Sequence, residues 1–350
     1  MNIKKVLYFY DYIILAVLGI LIFFGSTPIY NSYTLPISIV SVLILLGFWL
    51  IRGRKIEIPK NYILYLVFAV LLLVHYFVFG GEITYFLLFL SGGLYWLSIY
   101  NLRDFVSKYF FTFQITFGFV MTGVYMVSIA RGVYFSSSND LFLPIASGVL
   151  HNHLGDLWAI ILVGVYYKIT QKYQWWQIPI VIFGLAIIAQ SFSRSAIVAL
   201  IAGALYVYYK SEKKKEMKKI FKISLVIVTL LFLFVSAFKT TLFSRPYYLE
   251  GLNSFIRSPL GIGMGNFSKV SPESLLAHNI VLEVISGIGI FSAVFIVWLI
   301  KVFKSFAGGS SNILYKALFL AIFVNFFFDT TYTIPAMIWI WFSTLALAFT

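Results

Sequence analysis

Tyr62-Ile-Leu-Tyr-Leu-Val-Phe-Ala-Val-Leu-Leu-Leu-Val-His-Tyr-Phe-Val-Phe79 decides the fold class. The run is apolar throughout except for His75 and contains no Asp, Glu, Lys or Arg. About 20 such residues in a helix cross the hydrocarbon core of a bilayer. Continuous rather than alternating hydrophobicity argues against an outer-membrane barrel strand. The same texture extends in both directions. Hydrophobic residues make up 61% of the chain and charged residues 11%, with a mean hydropathy of +0.95, whereas a soluble domain carries roughly 25% charged residues. The expectation is an all-α, polytopic integral membrane helical bundle forming one transmembrane domain over residues 1–350.

Apolar runs predict about twelve transmembrane helices. They fall at 8–25, 34–51, 62–79, 83–100, 109–129, 154–168, 177–192, 195–209, 223–238, 279–300, 314–328 and 334–349. With the N-terminus inside, only Arg131, Arg194, Lys239, Arg245, Arg257 and Lys269 of the 26 basic residues lie outside. That bias predicts an N-in, C-in topology. The first span follows Lys4 and Lys5 without a small-residue cleavage site, and reads as a retained anchor. The net charge of +14 sits mostly in short loops between apolar runs, so it orients the chain and does not call for nucleic acid. The run Ser211-Glu-Lys-Lys-Lys-Glu-Met-Lys-Lys219 reads as an inner loop held near anionic lipid. With no cysteine there is no disulfide, thiolate metal site or cysteine nucleophile.

Residues 239–278 form the one longer outer loop, and ionisable groups beside a bilayer are costly enough to mark function. Four features share that outer face. Ser191-Phe-Ser-Arg-Ser195 is a tight polar turn whose Arg194 is a permanent charge at the membrane edge, readable as a ligand contact or as an arginine snorkelling to lipid phosphate. The stretch Ser244–Ser258 places Leu249, Leu252, Phe255 and Ile256 at helical spacing between Pro246 and Pro259, which predicts a short amphipathic helix along the membrane surface. Arg245 and Arg257 stand roughly 18 Å apart along such a helix, too far to grip one phosphate, so one is a ligand contact and the other a lipid anchor. In Ser258-Pro-Leu-Gly-Ile-Gly-Met-Gly-Asn-Phe267 alternating glycines permit positive φ, and Gly261 and Gly263 read as a turn seating the loop on the bundle. The run is neither a dinucleotide fingerprint nor a phosphate-binding P-loop. Last comes Ala277-His-Asn-Ile-Val-Leu-Glu283, where His278 opens a span as a general base, a hydrogen-bond donor to phosphate or a structural residue, and Glu283 is expected to be buried and paired. Two or three arginines plus a histidine on one face read as a site for an anionic phosphate group.

The order of these motifs resembles the O-antigen ligase and polymerase superfamily of membrane glycosyltransferases. The residues that carry the resemblance are Ser193-Arg194, Arg245, Pro259-Leu-Gly-Ile-Gly-Met-Gly-Asn-Phe267, His278-Asn279 and Leu282-Glu283, with His151-Asn-His-Leu-Gly-Asp156 at the start of an earlier span. It covers roughly residues 150–300. What it implies is transfer of a glycan from a polyprenyl-diphosphate-linked donor to an acceptor glycan or glycolipid, at the outer face of a bacterial cytoplasmic membrane. Under that reading Arg194 and Arg245 stabilise the diphosphate leaving group, with Arg257 in reserve. His278 contacts the diphosphate or deprotonates the acceptor. Asn279, Gly263, Gly265, Asn266 and Glu283 shape the substrate site, and membrane lipids are the remaining partners. No outer acidic pair suggests a metal ligand set, so a metal-independent, cofactor-free reaction is expected. The short loop leans towards a repeat-unit polymerase over a ligase. From another class, a transporter or flippase would instead depend on groups within the spans, such as Asp11, His75, Asp156 and Glu283.

Overall fold

The computed structural model describes residues 3–26, 33–51, 53–130, 151–211, 246–271, 274–307 and 312–349, with isolated positions between 222 and 233. Thirteen helices are numbered here: α1 (Ile3–Phe24), α2 (Thr34–Ile51), α3 (Tyr62–Phe79), α4 (Ile83–Asn101), α5 (Arg103–Ala130), α6 (His151–Gln171), α7 (Gln177–Ser191), α8 (Arg194–Lys210), α9 (Pro246–Arg257), α10 (Ile280–Ile288), α11 (Ala293–Ala307), α12 (Ile313–Phe328) and α13 (Pro335–Ala348). No strand occurs among the described residues. The protein is an all-α membrane protein.

Among the described residues, five helical runs are long and apolar enough to cross a bilayer: Thr34–Ile51, Tyr62–Phe79, Ile83–Asn101, Arg103–Val127 and Ile280–Phe306. Shorter apolar helices lie at Tyr10–Phe24, Gln177–Ser191, Ile313–Phe328 and Pro335–Ala348. The expected spans 154–168 and 195–209 are helical as α6 and α8, whereas 223–238 falls largely outside the described residues. So does the basic run 212–219. The expected span 279–300 is present as Ile280–Phe306 and contains a tight 3₁₀ turn at Gly289–Ser292. Its cause is visible: Gly289 has φ +59, and the Ile290 N–H donates to the Pro259 carbonyl at 2.8 Å instead of continuing the helix.

The chain divides into two compact units. The first comprises residues 1–108, 245–309 and 332–350. Its centre is α13, buried along its whole length and packed against α4. A helix apolar on every side has no solvent or lipid face to offer; this one inserts between partners. Trp339 stacks on Tyr95 with centroids 4.7 Å apart and donates its indole N–H to Ser91 Oγ at 2.8 Å. Around that core, α2 and α3 each bury one stripe and expose another that is equally apolar. Leu35, Ile39, Val42, Leu46 and Trp49 face inward on α2, while Ile37, Val40, Leu43, Ile44 and Phe48 are exposed. Exposed aliphatic stripes of this kind suit lipid and would be costly in water.

The second unit comprises residues 109–244 and 310–331. Here α6 is the central element, packed against α7, α8 and α12. Close approach depends on small residues, as at membrane helix interfaces in general. A Cβ at Gly203 of α8 would stand 2.5 Å from Val163, and one at Gly184 of α7 would stand 2.8 Å from Leu162. Trp158 of α6, fully buried, donates to Thr122 Oγ1 of α5 at 2.9 Å.

Candidate functional site

The first unit carries the loop that the sequence singled out. Pro246 occupies the first position of α9, where its missing N–H costs nothing. Along α9, Leu249, Leu252 and Ile256 are exposed while Gly251 and Ser254 are buried. The amphipathic helix expected at 244–258 is therefore present, with its apolar stripe facing outward as an interfacial helix requires. Arg257 is exposed in the last turn of α9, where a cation complements the helix dipole. Arg245, together with 239–244, lies outside the described residues.

After α9 the chain turns at Ser258–Gly261 and docks through a set of backbone bonds. Ile262 N–H donates to Ser286 O at 3.0 Å, Gly263 N–H to Gly287 O at 2.8 Å, and Glu82 N–H to Met264 O at 2.8 Å. Gly261, Gly263 and Gly265 have φ of 94°, 88° and 79°. A Cβ at Gly261 would stand 2.4 Å from Gly287 O, and one at Gly263 would stand 2.7 Å from Gly80 O. The seating role read for Gly261 and Gly263 is what the backbone does. It extends to Gly265, whose Cβ would meet Glu82 Cγ at 2.5 Å. Asn266 closes the turn by donating from Nδ2 to Ile262 O at 2.8 Å. His75 reaches the same turn: its Nε2 lies 2.8 Å from Leu260 O.

His278 is the outlier of this segment. It is half-buried and has φ +50, an uncommon conformation for a residue with a Cβ. Both neighbours pin it. Ala277 N–H donates to Glu283 Oε2 at 2.9 Å, and Asn279 Oδ1 accepts from Val281 N–H at 2.9 Å and Leu282 N–H at 3.1 Å, capping α10. Glu283 is fully enclosed, as expected, and also accepts from Tyr332 Oη at 3.2 Å. Tyr248 of α9 donates to the His278 carbonyl at 3.3 Å. Asn279 and Glu283, expected to shape a substrate site, act here by fixing the histidine between them. Backbone strain that the surroundings over-determine is found at functional positions more often than elsewhere.

The second unit joins the motifs at 151–156 and 191–195, read separately in the sequence, with Asp329, which the sequence reading did not single out. Arg194 is half-buried at the first position of α8, behind the capping residue Ser193, whose Oγ accepts from Ala196 N–H at 3.2 Å. Next to it Ser193 Oγ lies 2.6 Å from Asp156 Oδ1, and Ser195 Oγ lies 2.9 Å from Asp156 Oδ1 and 3.1 Å from Asp329 Oδ2. His153 Nε2 stands 3.4 Å from Asp329 Oδ1 and 3.4 Å from Thr330 Oγ1. Asp156, His153 and both serines are buried. The turn of α6 comes close because position 155 is glycine: a Cβ there would be 2.0 Å from Ser191 Oγ. The motifs at 151–156 and 191–195 were legible separately. A lone acid closing the apolar run 313–328 was the remaining signal for Asp329.

No family model, curated protein or solved structure matches this chain. The functional reading therefore rests on the residues and their geometry.

Proposed function

We propose that this protein is a membrane glycosyltransferase of the O-antigen ligase and polymerase type, taking a glycan from a polyprenyl-diphosphate donor at the outer face of a bacterial cytoplasmic membrane. The observation that carries it is His278, held at φ +50 between two anchored neighbours on the same loop as the glycine turn. A half-buried imidazole so fixed suits removal of a proton from an acceptor hydroxyl, or a hydrogen bond to the diphosphate. The proposed topology is twelve spans with both termini inside, as the basic residues indicate. Arg194 and Arg245 are assigned to the leaving diphosphate by the order of the motifs, each to be tested by its own substitution, with Arg257 anchoring α9 to lipid headgroups. The exposed apolar stripe of α9 supports that anchoring. Polymerisation of repeat units is favoured over ligation to a separate acceptor because the outer loop is short.

Purified protein in liposomes with a polyprenyl-diphosphate oligosaccharide tests the reading. A ladder of longer glycans with release of lipid diphosphate is the expected product, and His278→Ala should remove it at unchanged protein abundance. Wild-type transfer by His278→Ala sinks the site assignment.

One observation favours a second reading, transport of a lipid-linked glycan. Asp156, Asp329 and His153 are ionisable and buried in the second unit, and such groups inside membranes mark ion or proton pathways. Substrate moving across sealed vesicles without chemical change would select it.

A further inference from the structure

The cluster in the second unit has more oxygen–oxygen contacts than its hydroxyls have hydrogens. Four contacts lie at hydrogen-bond separation: Ser193 to Asp156 (2.6 Å), Ser193 to Ser195 (2.8 Å), Ser195 to Asp156 (2.9 Å) and Ser195 to Asp329 (3.1 Å). Two serines supply two hydrogens, and an ionised carboxylate supplies none. With both aspartates ionised, two of the four contacts would join bare oxygens in a buried setting, one between a lone pair and a carboxylate. Two further atoms stand open in the same cluster. Asp156 Oδ2 and His153 Nδ1 have no hydrogen-bond partner among the described residues, and they belong to residues 0% and 2% exposed. An enclosed polar atom without a partner is costly.

We propose that this cluster binds one proton and relays it between Asp329 and Asp156. In one arrangement the Asp329 carboxyl donates to Ser195 Oγ, Ser195 donates to Ser193 Oγ, and Ser193 donates to Asp156. The shortest contact then ends on the ionised carboxylate, as charge-assisted O–H···O⁻ bonds do. In the other arrangement every hydrogen has moved one oxygen along. The Asp329 O–H bond breaks as a new one forms on Ser195; Ser195 gives its own hydrogen to Ser193, and Ser193 gives its own to Asp156. The negative charge passes from Asp156 to Asp329, and no atom is gained or lost. His153, 3.4 Å from Asp329 with Nδ1 open, is the group through which the proton is exchanged.

Among the described residues, the groups facing this relay are these. Helix α6 presents His153 and Asp156, the turn after α12 presents Asp329 and Thr330, α8 begins with Arg194 beside the serines, and α7 contributes the neutral Ser191. The contact distances are those of O–H···O bonds, which favours a proton over a metal ion as the bound cation. The cluster is the one on which the transport reading rests, but its test depends neither on glycan transfer nor on transport.

The experiment is infrared difference spectroscopy on the full-length protein in lipid nanodiscs, wild type against single variants, in light and heavy water. A protonated-carboxyl C=O band that shifts in heavy water should be present in the wild type and lost in Asp329→Asn or Asp156→Asn. Ser195→Ala, which removes a bridging hydroxyl and no charge, should shift that band. Absence of the band in folded wild-type protein, or a band unmoved by all three variants, overturns the proposal. So does thermal stabilisation by sodium over choline that vanishes in Asp156→Asn without any carboxyl band, since that outcome assigns the site to a metal ion.

Discussion

Replacing Gly289 with alanine tests how the glycine turn is coupled to the broken span. Gly289 closes α10 at φ +59, and its Cβ would lie 2.1 Å from the Pro259 carbonyl oxygen and 2.5 Å from Gly261 N. Both obstacles are backbone atoms, so no side-chain rotation relieves them. Gly289 has φ +59 and ψ −134, and holding an alanine in so sparsely populated a conformation costs about 1–3 kcal/mol. Moving the packed backbone that blocks it adds about 1–3 kcal/mol. The expected loss is therefore about 2–6 kcal/mol, plus any weakening of the Ile290-to-Pro259 hydrogen bond. Gly47 in α2 supplies the control, because nothing lies within 4 Å of a Cβ there. A glycine to alanine change in a helix interior is worth about 0.5–1 kcal/mol of added stability. Unfolding in mixed micelles, followed by circular dichroism, should separate the two variants in opposite directions. An unchanged midpoint for Gly289→Ala, or an equal fall for Gly47→Ala, refutes the account of the turn. In the transfer assay Gly289→Ala should also lose activity at temperatures where it stays folded, since the same contact sets the loop that leads to His278.

Trp339→Ala should cost about 3–5 kcal/mol, because the ring is fully buried against Tyr95; Trp339→Phe, which keeps an aromatic ring and loses only the bond to Ser91, should cost less than half of that in the same unfolding assay. Arg54→Ala removes a bidentate pair with Asp11, at 2.9 and 3.4 Å, but the guanidinium is 30% exposed, so the change in unfolding should stay within about 1 kcal/mol. The chain has no cysteine, so single replacements report topology directly. Leu275→Cys should react with a membrane-impermeant maleimide added to intact cells, and Tyr173→Cys only after permeabilisation; the reverse pattern would invert the proposed orientation. Both positions are exposed, at 74% and 58%.

Helix positions were legible because apolar content and length suffice to place them. The runs read at 34–51 and 62–79 are α2 and α3 to the residue. What the sequence left unread is the turn inside one span, where a long-range contact competes with the local signal. The run 279–300 is apolar enough for one helix, yet the Pro259 carbonyl takes a backbone N–H from it. Nothing within the run foretells a partner some thirty positions upstream. Glu283 is buried and paired as its residue type suggests, but its partners Ala277 and Tyr332, like the two backbone N–H groups on the Asn279 amide oxygen, are supplied by the fold.

The sequence by itself determined the solvent of this protein: a chain so apolar, with most of its cations between apolar runs, belongs in a bilayer as helices, because only internal hydrogen bonding satisfies the backbone there. It also marked the loop and the motifs where polar groups are concentrated. Tertiary structure alone decided which of those groups meet. His153, Asp156, Ser193, Ser195 and Asp329 come from three separate stretches of chain and form one buried cluster only because α6, α8 and the end of α12 pack together. Hydropathy is a sum over neighbours in sequence, whereas a hydrogen-bonded cluster depends on neighbours in space.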